Sequence, residues 1–516
     1  MDKQILDFEF FNEEIVGAYN NGTAEACLPA EQTVSRSLIP PGTGSLRDFS
    51  YIAPDIPVLI GENCVGCMEC VTECPDTAIL AKVFGEDYLE TKISKVENEP
   101  VRELINSSFN KTKKYYENPK KKGNEGGRFG IFIDPTKCKG CAECVDVCGD
   151  HNALKMVHKD DENLPIFQKT FEFFDDLPDT PKEFINEKVL ADMMLAGDSL
   201  LFVGGAGSCM GCGEATAIRM MLAATGFVYG KDSVGIAAAT GCNTVYGSTY
   251  PYNPYTIPWS NSLFENVATF GMGIRSRWNQ KGDADKKLWL LGGDGAMFDI
   301  GFQALSRMLA SGMNINVMVL DTQVYSNTGG QASTASFTSQ ESKMSAHGKS
   351  LHGKIERRKE IAQIATMHPD IFVAQTTCAH INHFYKAILR ANEYEGPSIV
   401  NVYTPCQPEH GIGDDVSAQQ SRHAVNSRAF PLFIHDPEGG ERLRDRIDLK
   451  GNPALKDDWY VHPKTKEQID FIHFAKTEGR FRKQFDRDGN PSKELNLAQE
   501  DRLKNWHLLQ ELAGII

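Results

Sequence analysis

The arrangement of apolar and polar residues along the chain is most regular from about 199 to 430. There, apolar runs typical of buried strands alternate with segments typical of helices. The predicted strands are LLFVGG, SVGIAAAT, KLWLLGG, INVMVLD and PSIVNVYTP, and DIGFQALSRMLASG is a predicted helix. Because parallel strands need crossover connections that are usually helical, this alternation predicts an α/β domain with a mainly parallel sheet.

The remaining segments differ from this α/β region. Residues 1–58 lack periodicity and carry Pro and Gly clusters, which indicates an amino-terminal arm or connector. Residues 59–165 hold two cysteine motifs separated by KTKKYYENPKKKGNEGG, a predicted loop, and residues 166–198 are an acidic linker with one short helix. Residues 431–516 form a charged tail ending in EDRLKNWHLLQELAGII, a predicted amphipathic helix that packs on its own domain or on a partner.

Length, charge and cysteine content narrow the class of protein. A chain of 516 residues can bury a large core without covalent cross-links. It has no apolar run of transmembrane length and no signal-type amino terminus, so we expect a soluble, cytoplasmic protein. Its 14 cysteines then indicate metal ligands or catalysis rather than disulfides, because the cytosol keeps thiols reduced. The formal net charge of −15 argues against a nucleic-acid partner.

Two copies of C-x2-C-x2-C-x3-C, CVGCMECVTEC and CKGCAECVDVC, predict metal centres. A tight turn through the first three cysteines supplies three thiolates and leaves backbone N–H groups for the sulfides of an iron–sulfur cluster. Structural zinc is the alternative, but zinc ribbons pair two separate C-x2-C knuckles instead of packing four cysteines so closely. The motifs therefore favour two iron–sulfur clusters and a path for electrons.

A second candidate site follows two of the predicted strands. KLWLLGG ends at the GGDG stretch that contains Asp294, and INVMVLD ends at DTQVYSN. The carboxylate of Asp294, the hydroxyl of Thr322 and the carbonyl of Val324 are oxygen ligands of the kind that Mg²⁺ prefers. GDG alone is equally typical of a simple turn, whereas the two stretches together match the thiamine diphosphate signature.

Several longer stretches extend this match. GDGAMFDIGFQAL, DTQVYSNTGGQ, GSCMGCGEATAIRMM, GIAAATGCNTVYGS and PWSNSLFENVATFGMG together resemble the carboxyl-terminal part of pyruvate:ferredoxin (flavodoxin) oxidoreductase, a 2-oxoacid:ferredoxin oxidoreductase. The resemblance covers nearly all of the chain from about residue 55 onward. It implies a thiamine diphosphate-binding α/β fold, preceded by a two-cluster ferredoxin-like α+β domain.

The resemblance also implies three [4Fe–4S] clusters. In bacterial two-cluster ferredoxins the last cysteine of each motif serves the other cluster. A third cluster lies beside the thiamine in this family, although its C-x2-C pair alone is equally typical of a redox pair or a zinc knuckle. The implied ligand sets are Cys64, Cys67, Cys70 and Cys148; Cys138, Cys141, Cys144 and Cys74; and Cys209, Cys212, Cys242 and Cys406.

Further roles carry over from the motif match. Glu214 and Cys242 are implied to line the thiamine pocket, and Asn327 to face the substrate, with a turn-forming role for Asn327 as the alternative. The catalytic candidates are thus Asn327 and Glu214. The residues implied to hold the diphosphate and Mg²⁺ are Gly293, Asp294, Gly295, Ala296, Thr322, Gln323, Val324, Tyr325, Ser326 and Asn327.

This sequence departs from the family pattern at three places. Gly149 follows the second cysteine motif where a proline is usual, as Pro75 follows the first. His410 comes four residues after Cys406, where the family usually has a histidine after three. Thr334 stands near the place of a family lysine. The two cysteines outside the ligand sets, Cys27 and Cys378, are interpreted as inert buried thiols.

The implied reaction converts a 2-oxoacid and coenzyme A to acyl-coenzyme A and CO2, and reduces ferredoxin or flavodoxin; it is potentially reversible. Pyruvate is the expected substrate, with 2-oxoglutarate or branched 2-oxoacids as alternatives. An electron-transfer subunit without thiamine catalysis is the alternative from another class of protein.

We expect a second subunit to bring the pyrimidine-binding domain and its catalytic Glu. The basic insert either steers an acidic carrier or is a solvated loop without such a role; the lysines that would steer the carrier are Lys111, Lys113, Lys114, Lys120, Lys121 and Lys122.

Overall fold

The computed structural model describes residues 7–28, 33, 38–347 and 352–516. The chain divides into two compact units, each assembled from more than one segment. The first comprises residues 1–211, 218–232 and 245–258, and the second residues 212–217, 233–244 and 259–516.

The second unit is built on an eight-stranded sheet. In spatial order its strands are Ile447–Asp448, Phe433–His435, Phe372–Thr377, Ser398–Tyr403, Asn316–Asp321, Lys287–Gly293, Val234–Ala239 and Trp259–Ser262. The six strands from Phe372–Thr377 onward are parallel, and the first two are antiparallel additions at one edge. The predicted α/β fold with a mainly parallel sheet is therefore confirmed.

Helices connect and cover these strands, as parallel pairing requires. Side chains such as Val317 and Val319 on one face of the sheet join Phe298 and Leu305 in a common hydrophobic core. The helices of the α/β region are Gly213–Tyr229, Cys242–Gly247, Val267–Lys281, Phe302–Leu309, Ile361–Ala365, Ile381–Glu393, Gln407–His410, Ser417–Asn426, Leu443–Arg446, Phe471–Lys476 and Lys493–Leu512, with a π-helix at Gly295–Ile300.

The carboxyl-terminal segment completes this unit. Phe433–His435 and Ile447–Asp448, which lie beyond residue 430, are strands of the main sheet. The predicted terminal helix begins earlier than its apolar pattern indicated, at Lys493, and Ser492 caps it by accepting from the N–H of Leu495. Its apolar residues pack within the same unit, since Leu495, Ala498, Trp506 and Leu509 are members of its core clusters.

In the first unit, two small antiparallel sheets flank the cysteine motifs. Asp55–Leu59 precedes the first motif and pairs with Leu154–His158, which follows the second. Ile79–Gly85 follows the first motif and pairs with Gly127–Ile133, which precedes the second, and Phe109–Asn110 adds a third strand. The main helices are Glu69–Thr72, Glu86–Ile93, Glu99–Ser108, Asn118–Lys121, Glu143–Cys148, Leu164–Asp175 and Leu190–Met193, with helical stretches at Phe8–Asn20 and Ala24–Cys27.

Two local predictions were wrong. LLFVGG is not a strand, because only Phe202 makes a bridge, to Tyr255, and Gly205 then takes a positive φ of 86°. The basic insert between the motifs is not a loop throughout, because Lys113–Glu117 is a π-helix that continues into Asn118–Lys121. Tyr115 anchors this insert by stacking on Phe129 with ring centroids 5.0 Å apart. This buried ring therefore ties the polar insert to the strand Gly127–Ile133.

Within the described part of the chain, no helix combines the length and the apolar composition needed to cross a bilayer.

Candidate functional site

The two cysteine motifs have the same backbone conformation. Gly66 and Gly140 have φ of 73° and 74°, and Met68 and Ala142 have φ of 68° and 67°. In both motifs this turn directs a backbone N–H to the first cysteine sulfur, from Gly66 to Cys64 and from Gly140 to Cys138. The sequence repeat is thus also a structural repeat, and it presents three thiols of each motif around a loop.

The cysteines of the first predicted set come together across the two motifs. Cys64, Cys67 and Cys70 line one cavity, and Cys148 of the second motif lines the same cavity. The N–H of Ala153 donates to the sulfur of Cys148 at 3.2 Å, which fixes this thiol from the strand side. Three thiols of the first motif and one of the second therefore line one cavity, and the exchange of the fourth cysteine between clusters stays a prediction.

The second predicted set is gathered in the same way. Cys138, Cys141 and Cys144 interact electrostatically with one another and with Cys74 of the first motif. The sulfur of Cys74 accepts from the N–H groups of Asp76 and Ala78. Cys144 also interacts with Cys70, so the two sets lie side by side in the first unit.

Burial raises the pKa of cysteine thiols in both predicted sets. No group of three or more His, Cys, Asp or Glu side chains converges tightly enough to hold one metal ion within residues 7–28, 33, 38–347 and 352–516. Burial raises the pKa of the Cys64 thiol to about 11 and that of Cys138 to about 12. Thiolates at these positions therefore need a bound cation, and the iron of a cube that separates its ligands would supply it.

The thiamine candidates lie where parallel strands of the second unit end. Lys287–Gly293 and Asn316–Asp321 are neighbours whose register pairs Gly293 with Leu320, so Asp294 and Thr322 emerge at the same edge. Val234–Ala239 and Ser398–Tyr403 flank them and lead to Cys242 and Cys406. The carboxyl edge of a parallel sheet is the usual ligand-binding edge of such folds.

A cavity of about 230 Å³ opens at this edge. Gly293 and Gly241 leave room in it, because an added Cβ would come no nearer than 3.9 Å to Leu320 at Gly293 and 3.7 Å to Asn243 at Gly241. The predicted residues that line the cavity are Glu214, Cys242, Gly293, Asp294, Gly295, Ala296, Val324, Tyr325, Ser326 and Asn327, joined by Thr240, Gly241, Phe264, Ile300 and Thr328, which the motifs did not single out. All five lie within the longer stretches that carry the resemblance, but those stretches assigned them no role.

The three predicted cation ligands lie together, and two of them, Asp294 and Val324, line this cavity. The Thr322 hydroxyl lies 3.2 Å from a carboxylate oxygen of Asp294 and donates to the Val324 carbonyl at 2.9 Å. Ser333, which sequence reasoning missed, donates to the other oxygen of Asp294. Burial raises the pKa of Asp294 well above its usual range, and the charge of Asp321 raises it further. A divalent cation would stabilise the ionised form of Asp294 and so oppose this rise in its pKa. The oxygen donors therefore fit Mg²⁺.

The turn after Asp321 is fixed from below. The buried carboxylate of Asp321 pairs with Arg358 and accepts from the Asn401 amide at 3.2 Å. Gln323, predicted to bind the cofactor, takes part in these buried contacts. Its Nε2 donates to Asp321, and its Oε1 accepts from Arg480 at 3.1 Å. Its side chain therefore supports the turn and does not line the cavity.

The third predicted cysteine set divides between the units. Cys212, Cys242 and Cys406 are in the second unit, and Cys209 is in the first. The N–H of Gly213, next to Cys212, donates to the carbonyl of Pro405, next to Cys406, at 3.2 Å. The sulfur of Cys242 lies 3.6 Å from the Ser326 hydroxyl at the cavity wall. Three of the four thiols are thus held at the sheet edge that carries the cation ligands.

His410 connects the cation-binding turn with Cys406. His410 ends the short helix Gln407–His410. The N–H of Cys406 donates to Nδ1 of His410 at 3.4 Å, and Nε2 of the same ring donates to the Thr322 carbonyl at 2.7 Å. Burial lowers the pKa of His410 well below its ordinary value, so the ring is neutral. The four-residue spacing that departs from the family pattern is one helical turn, and it places His410 between two candidate sites.

Of the two cysteines outside the ligand sets, the structure describes the side chain of Cys378 alone. Cys378 is buried and belongs to none of the three cysteine groups. The side chain of Cys27 lies outside the described residues.

Thr334, at the place of the family lysine, donates to Asp299, which also accepts from the Tyr325 hydroxyl. Through Asp299, Thr334 therefore supports Tyr325, which lines the cavity.

Comparisons with known proteins agree with the motif match. Residues 239–402 match the family model described as thiamine pyrophosphate enzyme, C-terminal TPP binding domain. The chain is 28% identical over 559 residues to the probable pyruvate-flavodoxin oxidoreductase of Escherichia coli, an alignment that covers 93% of this chain and 43% of the relative. It is 28% identical over 491 residues to the pyruvate:ferredoxin oxidoreductase of Moorella thermoacetica, which covers 80% of this chain and 39% of the relative.

A 2-oxoglutarate:ferredoxin oxidoreductase from Magnetococcus marinus, solved with 2-oxoglutarate, coenzyme A and succinyl-CoA bound, is similar with a TM-score of 0.34 and 20% identity. It covers 39% of this chain and 65% of that one. This chain spans less than half the length of the two curated relatives. The resemblance to the pyruvate:ferredoxin (flavodoxin) oxidoreductases that the motifs predicted is confirmed.

Proposed function

We propose that this chain is the subunit of a 2-oxoacid:ferredoxin oxidoreductase that carries thiamine diphosphate, Mg²⁺ and three [4Fe–4S] clusters, with pyruvate as its substrate. The observation that carries the proposal is the common sheet edge of the second unit. Asp294, Thr322 and Val324 bring three oxygen donors together there, and Cys242 lies in the wall of the cavity that Asp294 and Val324 line. A thiamine site and a cluster ligand in one cavity allow electrons to leave the substrate over a short distance.

Different residues around the cavity would hold different parts of the cofactor. Asp294, Thr322 and Val324 would hold Mg²⁺, and the open space at Gly293 would admit the diphosphate. Thiamine diphosphate, when bound, accepts the electrons that loss of CO2 releases from a 2-oxoacid. Asn327, exposed at the mouth of the cavity, would bond to the substrate, and Glu214 at the start of its helix would orient the cofactor.

A second subunit would complete the site. Thiamine enzymes use a Glu to activate the aminopyrimidine ring, and in this family it comes from a pyrimidine-binding domain. Ile300 and Phe264 line the cavity and are 61% and 37% exposed, and nearby Leu263 is 58% exposed. Clustered apolar side chains of this kind mark an interaction surface. We propose that the pyrimidine-binding domain covers them and brings the Glu and most of the coenzyme A site.

Electrons would leave through the first unit to ferredoxin or flavodoxin, and we expect the complex in the cytoplasm. The same site chemistry would serve 2-oxoglutarate or branched 2-oxoacids, because the selecting residues lie mostly on the partner. An electron-transfer subunit without thiamine catalysis is the second candidate. The assembled cation site argues against it, since cluster transfer alone would not need Asp294, Thr322 and Val324 together.

The first test is anaerobic purification of the chain with whatever copurifies, followed by iron, thiamine and subunit analysis and by assays of carrier reduction. We expect about twelve irons per chain, bound thiamine, and carrier reduction that requires pyruvate, coenzyme A and a second subunit. The chain alone should keep its iron and show no turnover, because we propose that the activating Glu comes from the second subunit. Substantial turnover by the chain alone would contradict the partner requirement, and about eight irons without thiamine would favour the electron carrier.

The basic insert near the first cysteine motif is expected to speed carrier docking through only some of its lysines. Lys111 pairs with Glu86, Lys114 with Asp192 and Lys121 with Glu117. Lys113, Lys120 and Lys122 are exposed and make no ion pair in the described part of the chain. Their positive charge is therefore available to an acidic partner.

Replacing Lys113, Lys120 and Lys122 together with Gln should slow reduction of an acidic ferredoxin about tenfold at low salt, with the difference vanishing at high salt. Stopped-flow reduction at several ionic strengths measures this. The matched control is the triple change of Lys456, Lys464 and Lys466 to Gln, which removes the same charge from exposed positions of the second unit. Equal salt dependence in both triple variants would refute a steering role for the insert.

A further inference from the structure

A buried arginine of the first unit, Arg219, lies against the first cysteine motif. Its side chain is 3% exposed. Its Nη1 donates to the carbonyls of Val71 and Cys74, the latter at 2.9 Å, and lies 3.4 Å from that of Thr72. Arg219 therefore fixes the backbone that leads into Cys74, the cysteine predicted to complete the cluster of the second motif.

The rest of this guanidinium lacks partners. Nε and Nη2 of Arg219 have no acceptor among the described residues, although both are buried. Buried N–H groups are nearly always bonded, and a buried cation needs a nearby anion. Its main electrostatic partner is the thiol of Cys74, ahead of the carboxylates of Asp76 and Glu73. Asp76 already pairs with Lys139 at 2.7 Å. The two unused donors are therefore available to an acceptor near Cys74, whose carbonyl already binds Nη1.

We propose that Arg219 sets the reduction potential of the cluster held by Cys74, Cys138, Cys141 and Cys144, by giving its charge and its two remaining N–H donors to that cluster. This inference rests on the proposed function, which supplies the cluster. Each electron taken up adds one negative charge to the cluster. A fixed cation in a low-dielectric site stabilises the reduced form, so the arginine makes that cluster easier to reduce.

The position of Arg219 gives this effect a role in electron flow. Lys139, between two cysteines of the second motif, donates to the carbonyl and the hydroxyl of Ser208 at 2.8 and 3.0 Å. Ser208 directly precedes Cys209, a predicted ligand of the third cluster. The cluster beside Arg219 is therefore the one whose motif bonds to the Cys209 segment within the first unit. A raised potential there would draw electrons into the ferredoxin-like pair.

The test is the Arg219→Met variant, purified anaerobically with its partner and titrated potentiometrically while EPR follows each cluster. We expect full iron content and the largest shift, to more negative values, at the midpoint of the cluster predicted on Cys74, with a smaller shift at the cluster predicted on Cys70 and no change at the third. Arg275→Met is the matched control. Arg275 is equally buried, donates to the carbonyls of Ala284 and Lys286, and has an unpartnered Nε, but it interacts with no cysteine motif. It should cost stability and leave all midpoints in place.

The outcomes separate this inference from the proposed function. A wild-type protein without clusters would refute the proposed function itself. Clusters with unchanged midpoints in Arg219→Met would overturn the inference alone, as would equal shifts in both variants. If Arg219→Met loses iron, the wild-type enzyme labelled with ¹⁵N-arginine decides the matter. A ¹⁵N hyperfine coupling to a reduced cluster is expected, and its absence would overturn the proposal.

Discussion

Replacing Asp294 with Asn is expected to weaken Mg²⁺ and thiamine diphosphate binding by about 10²- to 10³-fold, and carrier reduction with it. Removing one partner of a buried charge pair costs about 3–5 kcal/mol, and each 1.4 kcal/mol is about tenfold in affinity. Asp294 is the buried carboxylate among the three predicted ligands, and Thr322 and Val324 offer only neutral oxygens. Thiamine affinity at fixed Mg²⁺, measured by calorimetry, tests this.

The same substitution should leave the cofactor-free chain folded. Because burial raises the pKa of Asp294, its carboxyl group favours the folded state only while it is protonated, and this contribution is lost as pH rises through the raised pKa. At pH 7 without Mg²⁺, Asp294→Asn should therefore keep or raise Tm, and iron content should not change. A fall in the Tm of the cofactor-free protein equal to the loss seen with cofactor would mean that Asp294 has a structural role only.

Pairs of alanine substitutions are expected to distinguish crossed from uncrossed cluster ligation by iron content. Cys64 and Cys148 come from different motifs but line one cavity. If they serve one cluster, the double change of Cys64 and Cys148 to Ala should remove about four irons per chain. The double change of Cys144 and Cys148 to Ala, within one motif, should remove about eight because it disables both clusters.

The reverse pattern of iron loss would show that each motif keeps its own cluster. Cys378→Ala is the control, since Cys378 is buried outside the three cysteine groups and its loss should leave all iron in place. Iron analysis of anaerobically purified protein, with EPR of the reduced clusters, gives the counts. The effect is large because a missing thiolate leaves an iron without its ligand in a buried site.

Features set by short-range chemistry could be predicted from the sequence. The parallel sheet follows from the alternation of apolar runs and helices, and the paired cysteine turns follow from their spacing and from Gly66 and Gly140. Asp294 and Thr322 were found because each directly follows an apolar strand. Ser333 and Arg358 were missed, since their contacts with Asp294 and Asp321 join residues 39 and 37 positions apart. No local pattern marks such pairs.

By itself, the sequence determined the candidate residues for the chemistry and the strands that present them, because thiolate spacing, strand periodicity and glycine conformations act over a few residues. Only the tertiary structure decided what those residues face. It placed Cys148 in the cavity of the first motif, turned Gln323 away from the thiamine cavity, and brought Arg219 to Cys74 across 145 residues. Such contacts depend on how packed elements meet, and burial makes them energetically important because it removes the competing water.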